Sequence, residues 1–435
     1  MILEEYINQL IKKGSIRTIR TAVSKDLEIA GILKCLEPKP ALFEKVKESS
    51  FRVAGNLFCT KQQIADYFGI GVQDIIPTLA KAIEKRSPPE LIDGAPCQEV
   101  TRSVVDLNDL PILRHNVVDG GPYISSAVVV AKDPEYGQNL DFHRAMQIDS
   151  RHFSVRIVSG RDFHKFLQRA GELDAAFCVG NTPEVLIAAA TSVKTGIDEL
   201  EIANALRPIR LTHASSVDLR IPADCEFVLE GRVYLNEKAA EGPFIDLTET
   251  VDVVRQEPVF EVKRITHRRN AIWQALLPGR LEHKILMGMP REPTIYQSVR
   301  EKGVQVLDVS MTPGGASWLH VAVKIKKQKD DDGKLAIEGA FRGHTSAKHV
   351  WVYDDDIDIY DEQEREWAMA TRFQGDSDMI VRGREPGSSL DPSAEPDTKL
   401  TTKIGFDCTK KLTTKGKSFE KAKFHEVDIR KYSEE

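Results

Sequence analysis

The chain has 435 residues, 41% hydrophobic and 29% charged, enough for two or three packed domains and too apolar for disorder. Its 60 Lys and Arg against 66 Asp and Glu leave a net charge of -6 with both signs mixed throughout. That balance offers no field for a phosphate backbone, so nucleic acid is not expected as a partner. No early run of about 18 apolar residues appears, and the opening Met1-Ile2-Leu3-Glu4-Glu5 lacks the basic-then-apolar order of a signal peptide. A cytoplasmic protein with no stable membrane insertion is expected. The six cysteines, Cys35, Cys59, Cys97, Cys178, Cys225 and Cys408, have no paired spacing and read as reduced thiols.

Residues 1–111 alternate helical patterns, Glu4 to Lys13 and Lys61 to Phe68, with short apolar strands such as Phe51 to Leu57, which predicts an α/β domain. Leu107-Asn108-Asp109-Leu110-Pro111 supplies the turn formers of a joint. Over residues 112–275 the pattern becomes strand-dominated: Ser125 to Ala131, Phe153 to Val158, Glu226 to Val233 and Val259 to Ile265 are short β-rich runs bounded by turn residues. Such spacing argues for a barrel or sandwich. Helices are predicted at Asp162 to Leu173 and Ile197 to Leu206.

Residues 276–435 return to α/β alternation. His320 to Ile325 alternates as a half-buried strand, a turn follows at Lys329 to Gly333, and Val350 to Tyr353 reads as a buried strand. The last twenty-odd residues, rich in Lys and Glu, read as a solvated tail or docking arm.

The residues that carry chemistry fall in a few places. Glu241 and Asp246 stand five apart across a Gly-Pro turn. They are either turn carboxylates in solvent or a pair in which one is buried and moves a proton. The segment Gly137 to Arg144 offers Asn139, His143 and Arg144. It is either an ordinary loop or a place where the Arg fork holds an oxyanion and the Asn oxygen a hard cation. Glu199 opens a helix, either facing solvent or turned inward beside Ala203. Asp354-Asp355-Asp356 reads as a capped helix start rather than a metal site, because consecutive side chains point in different directions. Gly314-Gly315 lacks the surroundings of a phosphate loop, and His344 and His349 read as packed histidines.

In combination these segments resemble one family. The order Gln138-Asn139-Leu140 with Arg144, Asp198-Glu199 with Ala203 and Leu206-Arg207, Val228-Leu229-Glu230-Gly231, then Glu241-Gly242-Pro243 with Asp246 is similar to that of the UbiD-type decarboxylases. Lys324 to Gln328, Tyr353 to Asp356 and Thr402 to Asp407 resemble the C-terminal half of the same family. The match runs in order from about residue 90 to 410.

The resemblance implies a mixed α+β architecture: an N-terminal α/β domain, a central split β-barrel carrying prenylated FMN, and a C-terminal α/β domain that mediates dimerisation or higher homo-oligomers. It implies reversible decarboxylation of α,β-unsaturated or aromatic acids, with a flavin prenyltransferase supplying the cofactor. Carried over by position, Asn139 and Glu199 would ligate Mn2+, or K+, at the flavin phosphate. Phe142, His143, Arg144, Arg156, Ile157, Val158 and Lys403 would line the cofactor. Arg144 would orient the substrate carboxylate, Glu241 would bond to Arg144, and Asp246 would shuttle the proton. Where many relatives carry a third metal ligand, His, this chain reads Ser159-Gly160-Arg161-Asp162, which leaves water, Asp162 or His164 for that place.

Segments Glu282 to Pro293 and Gly387 to Ser393 look like the compact archaeal-type branch, which includes the anhydromevalonate phosphate decarboxylases of an isoprenoid route. The implied reaction converts trans-anhydromevalonate 5-phosphate to isopentenyl phosphate, with Arg291, Lys348 and His349 as spare cations. Alternatives are decarboxylation of 4-hydroxybenzoate-type or polyprenyl-hydroxybenzoate acids, a flavin-binding or assembly protein without turnover, and a metal-dependent hydrolase.

Overall fold

Thr60-Lys61-Gln62-Gln63 shows how directly local sequence sets an element here. In the computed structural model, which describes residues 2–412, 418–419, 421–422, 424–428 and 431–432, the Thr60 side chain accepts from the Gln63 backbone N–H. The Gln63 side chain in turn accepts from Thr60 N–H. This reciprocal cap starts helix Lys61–Phe68, and Gly69, left-handed at φ 72°, ends it. That helix belongs to an N-terminal layer built on strands Arg17–Ile19, Ala41–Phe43, Arg52–Gly55 and Ile272–Ala275, in that order. The last strand, from far along the chain, pairs in parallel with Arg52–Gly55, placing Ile272 opposite Arg52.

The central sheet is antiparallel. Its path runs Tyr123–Ile124, Ala145–Gln147, His152–Val155, Arg255–His267, Phe227–Glu241, Glu172–Val179, Val128–Asp133 and Gly137–Phe142, with Val100–Thr101 added beside Arg255–His267. Its two longest strands shift register at Glu230/Gly231 and Tyr234/Lys238. A side chain at Gly231 would place its Cβ 1.9 Å from the Glu261 carbonyl oxygen, so only glycine lets the partner strand approach at that bulge. Phe153, Phe177 and Phe260 stack within one core, the latter two with centroids 4.4 Å apart. This is the split barrel of the expected fold class.

The C-terminal sheet runs Val306–Met311, His320–Ile325, His349–Tyr353, Leu400–Asp407 and Met379–Pro386, its inner three strands parallel and its edges antiparallel. Helices Glu292–Arg300 and Asp332–Gly343 bury one face of it. No helix among the described residues is long and apolar enough to cross a membrane. All six cysteines are free thiols.

Several local expectations change. Gly137 to Phe142, read as a loop or binding segment, is a strand paired with Val128–Asp133 in a hairpin. The helix expected to Leu173 stops at Ala170, because Gly171 turns the chain at φ 77° into strand Glu172–Val179. Helix Pro183–Ala190 was hidden by its composition, being buried on every side and therefore without a polar period. The Lys329 to Gly333 turn already contains a helix start, since Asp332 accepts from the N–H groups of Gln328 and Lys329. Asp354 and Asp356 do not cap a helix: they clasp the buried Arg372 at 2.9 and 2.8 Å. The expected tail lies largely outside the described residues. Within the described part, Phe419 accepts from Arg372 and Lys421 pairs with Glu364.

Candidate active site

Strand Phe227–Glu241 ends at Glu241, and Gly242, at φ +100°, reverses the chain into Phe244–Ile245, which pairs with Val251–Asp252. A Cβ at Gly242 would meet the Val253 carbonyl oxygen at 2.9 Å. The turn and its small hairpin deliver three carboxylates, Glu241, Asp246 and Asp252, to one point. Arg144, between strands Gly137–Phe142 and Ala145–Gln147, occupies it.

The guanidinium bonds Glu241 with both prongs, Nε to Oε1 at 2.9 Å and Nη2 to Oε2 at 3.0 Å. It also donates to Asp246 at 2.5 Å and to Asp252 at 2.8 Å, and stacks 4.4 Å above the Phe244 ring. Four of the five N–H donors that an arginine carries are thus used. Burial alone would pull the Arg144 pKa down, but the Glu241 bonds and the charges of Asp246 and Asp252 hold it above its usual value. Burial likewise works against the charge on Asp252, yet Arg255 and Arg144 keep its carboxyl below the usual range.

The two carboxylates named from sequence differ sharply in access. The Glu241 side chain is 0% exposed and also accepts from the Tyr123 hydroxyl at 3.1 Å. Asp246 is 18% exposed, and its second oxygen takes the Leu247 N–H. Behind it stands His283 of helix Leu281–Gly288, whose Nδ1 accepts from Gly279 N–H at 3.0 Å, leaving the ring hydrogen on Nε2. Burial lowers the His283 pKa, against the opposing charge of Asp246. Tyr123, Asp252 and His283 are the members that sequence reasoning missed. Only Asp252, a lone carboxylate in a run of exposed valines, carried a signal.

A second group lies on strand Gly137–Phe142. Glu199 is buried, accepts from Leu140 N–H at 2.9 Å, and is pushed well above the usual carboxylate range by that burial. Asn139 is buried with its Nδ2 lacking a partner. His143 Nε2 lies 2.8 Å from Asp141, and its Nδ1 faces the Arg156 carbonyl oxygen. Burial opposes the charge on His143, but Asp141 lifts its pKa above the ordinary value. Arg156 pairs with Glu257 at 2.7 Å, Phe142 is half-buried, Ile157 is buried and Val158 is exposed. Asp162, one candidate third metal ligand, already holds Lys165 at 2.8 Å and the Thr195 hydroxyl at 2.7 Å, and His164 accepts from Gly160 N–H. Lys403, on the C-terminal sheet, donates to the Thr345 carbonyl, borders a pocket of about 390 Å³ with Phe341 and Arg382, and, like Arg291 and Arg161, acts on His344.

A third group begins where the first ends. Leu247, adjacent to Asp246, packs with Ala316 and Trp318, with Met287 against them. Over the Trp318 ring, 5.4 Å from its centroid, lies the Arg291 guanidinium. His344 meets the Trp318 ring edge-on and faces its carbonyl oxygen at 3.0 Å, so Nε2 carries the hydrogen. Of the other two spare cations, Lys348 is paired with Asp391 at 2.8 Å and His349 is bonded to His320.

Comparison with known proteins places this geometry. Models of the 3-octaprenyl-4-hydroxybenzoate carboxy-lyase N-terminal, Rift-related and C-terminal domains match residues 7–83, 90–281 and 284–408. The chain belongs to the UbiD family. Its UbiD-family relatives include the anhydromevalonate phosphate decarboxylase of Methanothermobacter thermautotrophicus, 40% identical over 91% of this chain and 94% of the relative. The enzyme of that name from Methanocaldococcus jannaschii is 38% identical over 92% and 95%. Among solved structures, the UbiD-class enzyme HmfF of Pelotomaculum thermopropionicum in complex with FMN superposes with a TM-score of 0.94 at 33% identity, covering 99% of each chain. An evolved dimeric form of HmfF in complex with prFMN superposes at 0.88 and 32%, covering 96% of this chain and 97% of that one.

Proposed function

We propose that this protein is a prenylated-FMN-dependent decarboxylase of a short phosphorylated α,β-unsaturated acid, converting trans-anhydromevalonate 5-phosphate to isopentenyl phosphate. The observation that carries the reading is the Arg144 cluster, in which a buried Glu241 and a partly open Asp246 share one guanidinium. Near full-length relatives named for that substrate support its identity.

When bound, the modified flavin supplies the electron sink for loss of carbon dioxide. The chain's own residues do the rest. Phe142, His143, Arg144, Arg156, Ile157 and Val158 are the proposed cofactor contacts, with Lys403 joining them across the domains. The Asn139 and Glu199 pair suits a hard cation: an amide beside a desolvated carboxylate that has one backbone bond. Asn139 and Glu199 would hold Mn2+ or K+ there, which would supply positive charge toward the cofactor's phosphate; Asp162 is engaged by Lys165 and Thr195.

Arg144 has one N–H to spare, so it meets the substrate carboxylate through a single bond while fixing both acids. Glu241, locked by Arg144 and Tyr123, orients. Asp246, the open carboxylate, takes a proton from water and delivers it to the carbon from which carbon dioxide has left. The division into residues 1–111, 112–275 and 276–435, with pairing of C-terminal domains and cofactor supply by a flavin prenyltransferase, belongs to the same reading. Anaerobic reconstitution with prenylated FMN and Mn2+ tests it by carbon dioxide release. Turnover of the phosphorylated acid is expected; release from 4-hydroxybenzoate-type acids alone would replace the substrate, and failure to bind the flavin would overturn the reading.

A further inference from the structure

Glu249 stands where a glutamate is an awkward choice. It belongs to the turn that follows Asp246, and its backbone is left-handed at φ 61°, a region that favours glycine or asparagine over a long side chain. The turn is tight: Asp246 N–H donates to the Thr250 carbonyl at 3.1 Å and Glu249 N–H to the Asp246 carbonyl at 2.8 Å, while the Thr248 and Thr250 hydroxyls meet at 2.8 Å. Strain of this kind persists where the surroundings over-determine it.

What holds Glu249 is a chain of alternating charge. Its Oε1 takes the Lys284 ammonium, and its Oε2 takes Arg280 Nη1 at 3.1 Å. Arg280 turns its other nitrogens to Glu37, Nε at 3.0 Å and Nη2 at 2.6 Å, and the second Glu37 oxygen accepts the Leu281 N–H at 2.6 Å. Glu37 follows helix Glu28–Leu36 in the N-terminal layer, and its side chain is 4% exposed. The chain is thus anchored inside, and its Glu249 end, 46% exposed, meets water. Burial works against the charge on Glu249, yet Lys284 and Arg280 hold its carboxyl below the ordinary range. An isolated exposed ion pair contributes little, whereas four groups linked to a buried anchor fix geometry.

The backbones touch as well. A Cβ at Gly279 would lie 2.8 Å from the Asp246 carbonyl oxygen and 3.3 Å from the Glu249 Cγ, so the segment before helix Leu281–Gly288 passes directly against the turn. Asp246 therefore has two supports. Arg144 grips its carboxylate, and the Glu249 network grips the turn that carries it. We propose that Glu249 is a positioning residue for the proposed proton carrier: through Lys284 and Arg280 it ties the Asp246 turn to helix Leu281–Gly288 and, by way of Glu37, to the N-terminal layer. This rests on the decarboxylase reading and adds to it the group that keeps Asp246 aligned.

The test separates the hold on the turn from turnover. Hydrogen exchange of holoenzyme over residues 244–252 and steady-state kinetics are measured for wild type, Glu249→Asn, Glu249→Gln and Lys284→Met. Asparagine tolerates the left-handed backbone and loses both bridges, glutamine keeps the length and loses the charge, and Lys284→Met leaves the sequence of the turn untouched. Each should raise exchange in that stretch about tenfold. Glu249→Asn should lower kcat about tenfold with KM and the flavin spectrum within about twofold of wild type, as loss of alignment rather than of binding requires. Glu249→Gln combined with Lys284→Met should cost much less than the sum of the two, since both break one link. Unchanged exchange in Glu249→Asn and Lys284→Met would overturn the proposal. So would faster exchange with kcat unaltered, because catalysis would then not need the turn held, and so would a matching rise in KM with loss of flavin, which would make Glu249 a general support of the fold. If the wild type releases no carbon dioxide from the phosphorylated acid, the substrate reading fails by itself. The exchange comparison still decides the hold on the turn, and the kinetic comparison passes to a 4-hydroxybenzoate-type acid.

Discussion

Arg144 and Arg291 are opposites. Arg144 spends four N–H donors on three carboxylates, and one of those, Glu241, is wholly buried. Arg291 has a buried donor with no partner and a like charge within reach. The same side chain thus does two kinds of work. Saturated, it is a bracket that fixes other groups; unsaturated, it keeps a buried donor without one.

Kinetics give the largest contrast at the saturated end. Asp246→Asn should cut turnover at least a hundredfold with the flavin still bound, because it removes the proposed proton carrier and spares the bracket. Turnover within a few-fold of wild type would move the proton to another group. Stability should separate the two arginines next. Arg144→Met strands Glu241 in a dry site and should cost about 3–5 kcal/mol, read as a fall in the apparent melting temperature. Arg291→Met removes an uncompensated charge and should leave the apoprotein as stable as before or more so. Equal losses in both variants would erase the distinction.

A pH series sharpens the surroundings. Burial raises the Glu282 pKa to about 8, although Glu282 accepts backbone N–H groups such as that of Phe58. Its folded pKa exceeds its unfolded value of about 4.3, so its contribution is full below that value and is lost as pH rises through about 8. Glu282→Gln should therefore gain several degrees of melting temperature relative to wild type between pH 6 and 9. The smallest effect is expected at Asp252, which is depressed in the fold. Its contribution is present above about pH 4 and lost as pH falls further, so the melting curves of wild type and Asp252→Asn should converge only below that point.

How much of this was legible in the sequence depends on distance along the chain. The helix Lys61–Phe68, the strand pattern of the middle region and the Glu241-Gly242-Pro243 turn are local, and they appear where the periodicity and turn chemistry put them. The Arg144, Glu241 and Asp246 set could be listed, but not that Glu241 would be sealed and Asp246 left open, which the return of strand Phe227–Glu241 decides. Asp252 reaches Arg144 only because Phe244 pairs with it across a hairpin. His283 lies on a helix after a domain crossing, and Tyr123 on a two-residue strand, both too short of local pattern to be placed. Lys348 read as a spare cation because Asp391, which neutralises it, lies far along the sequence.

The strand Ile272–Ala275 sets an order of events during synthesis. Until it leaves the ribosome, Arg52–Gly55 is an open edge whose backbone groups have no neighbour on that side. At the usual pace of translation that exposure lasts on the order of ten seconds. The first domain begun is therefore not the first completed: the barrel segment must emerge before the N-terminal sheet can close. A fragment cut after Pro111 would carry that open edge permanently and would tend to pair with copies of itself; Leu107 and Leu110, expected in a joint, lie instead in the core shared with the central sheet.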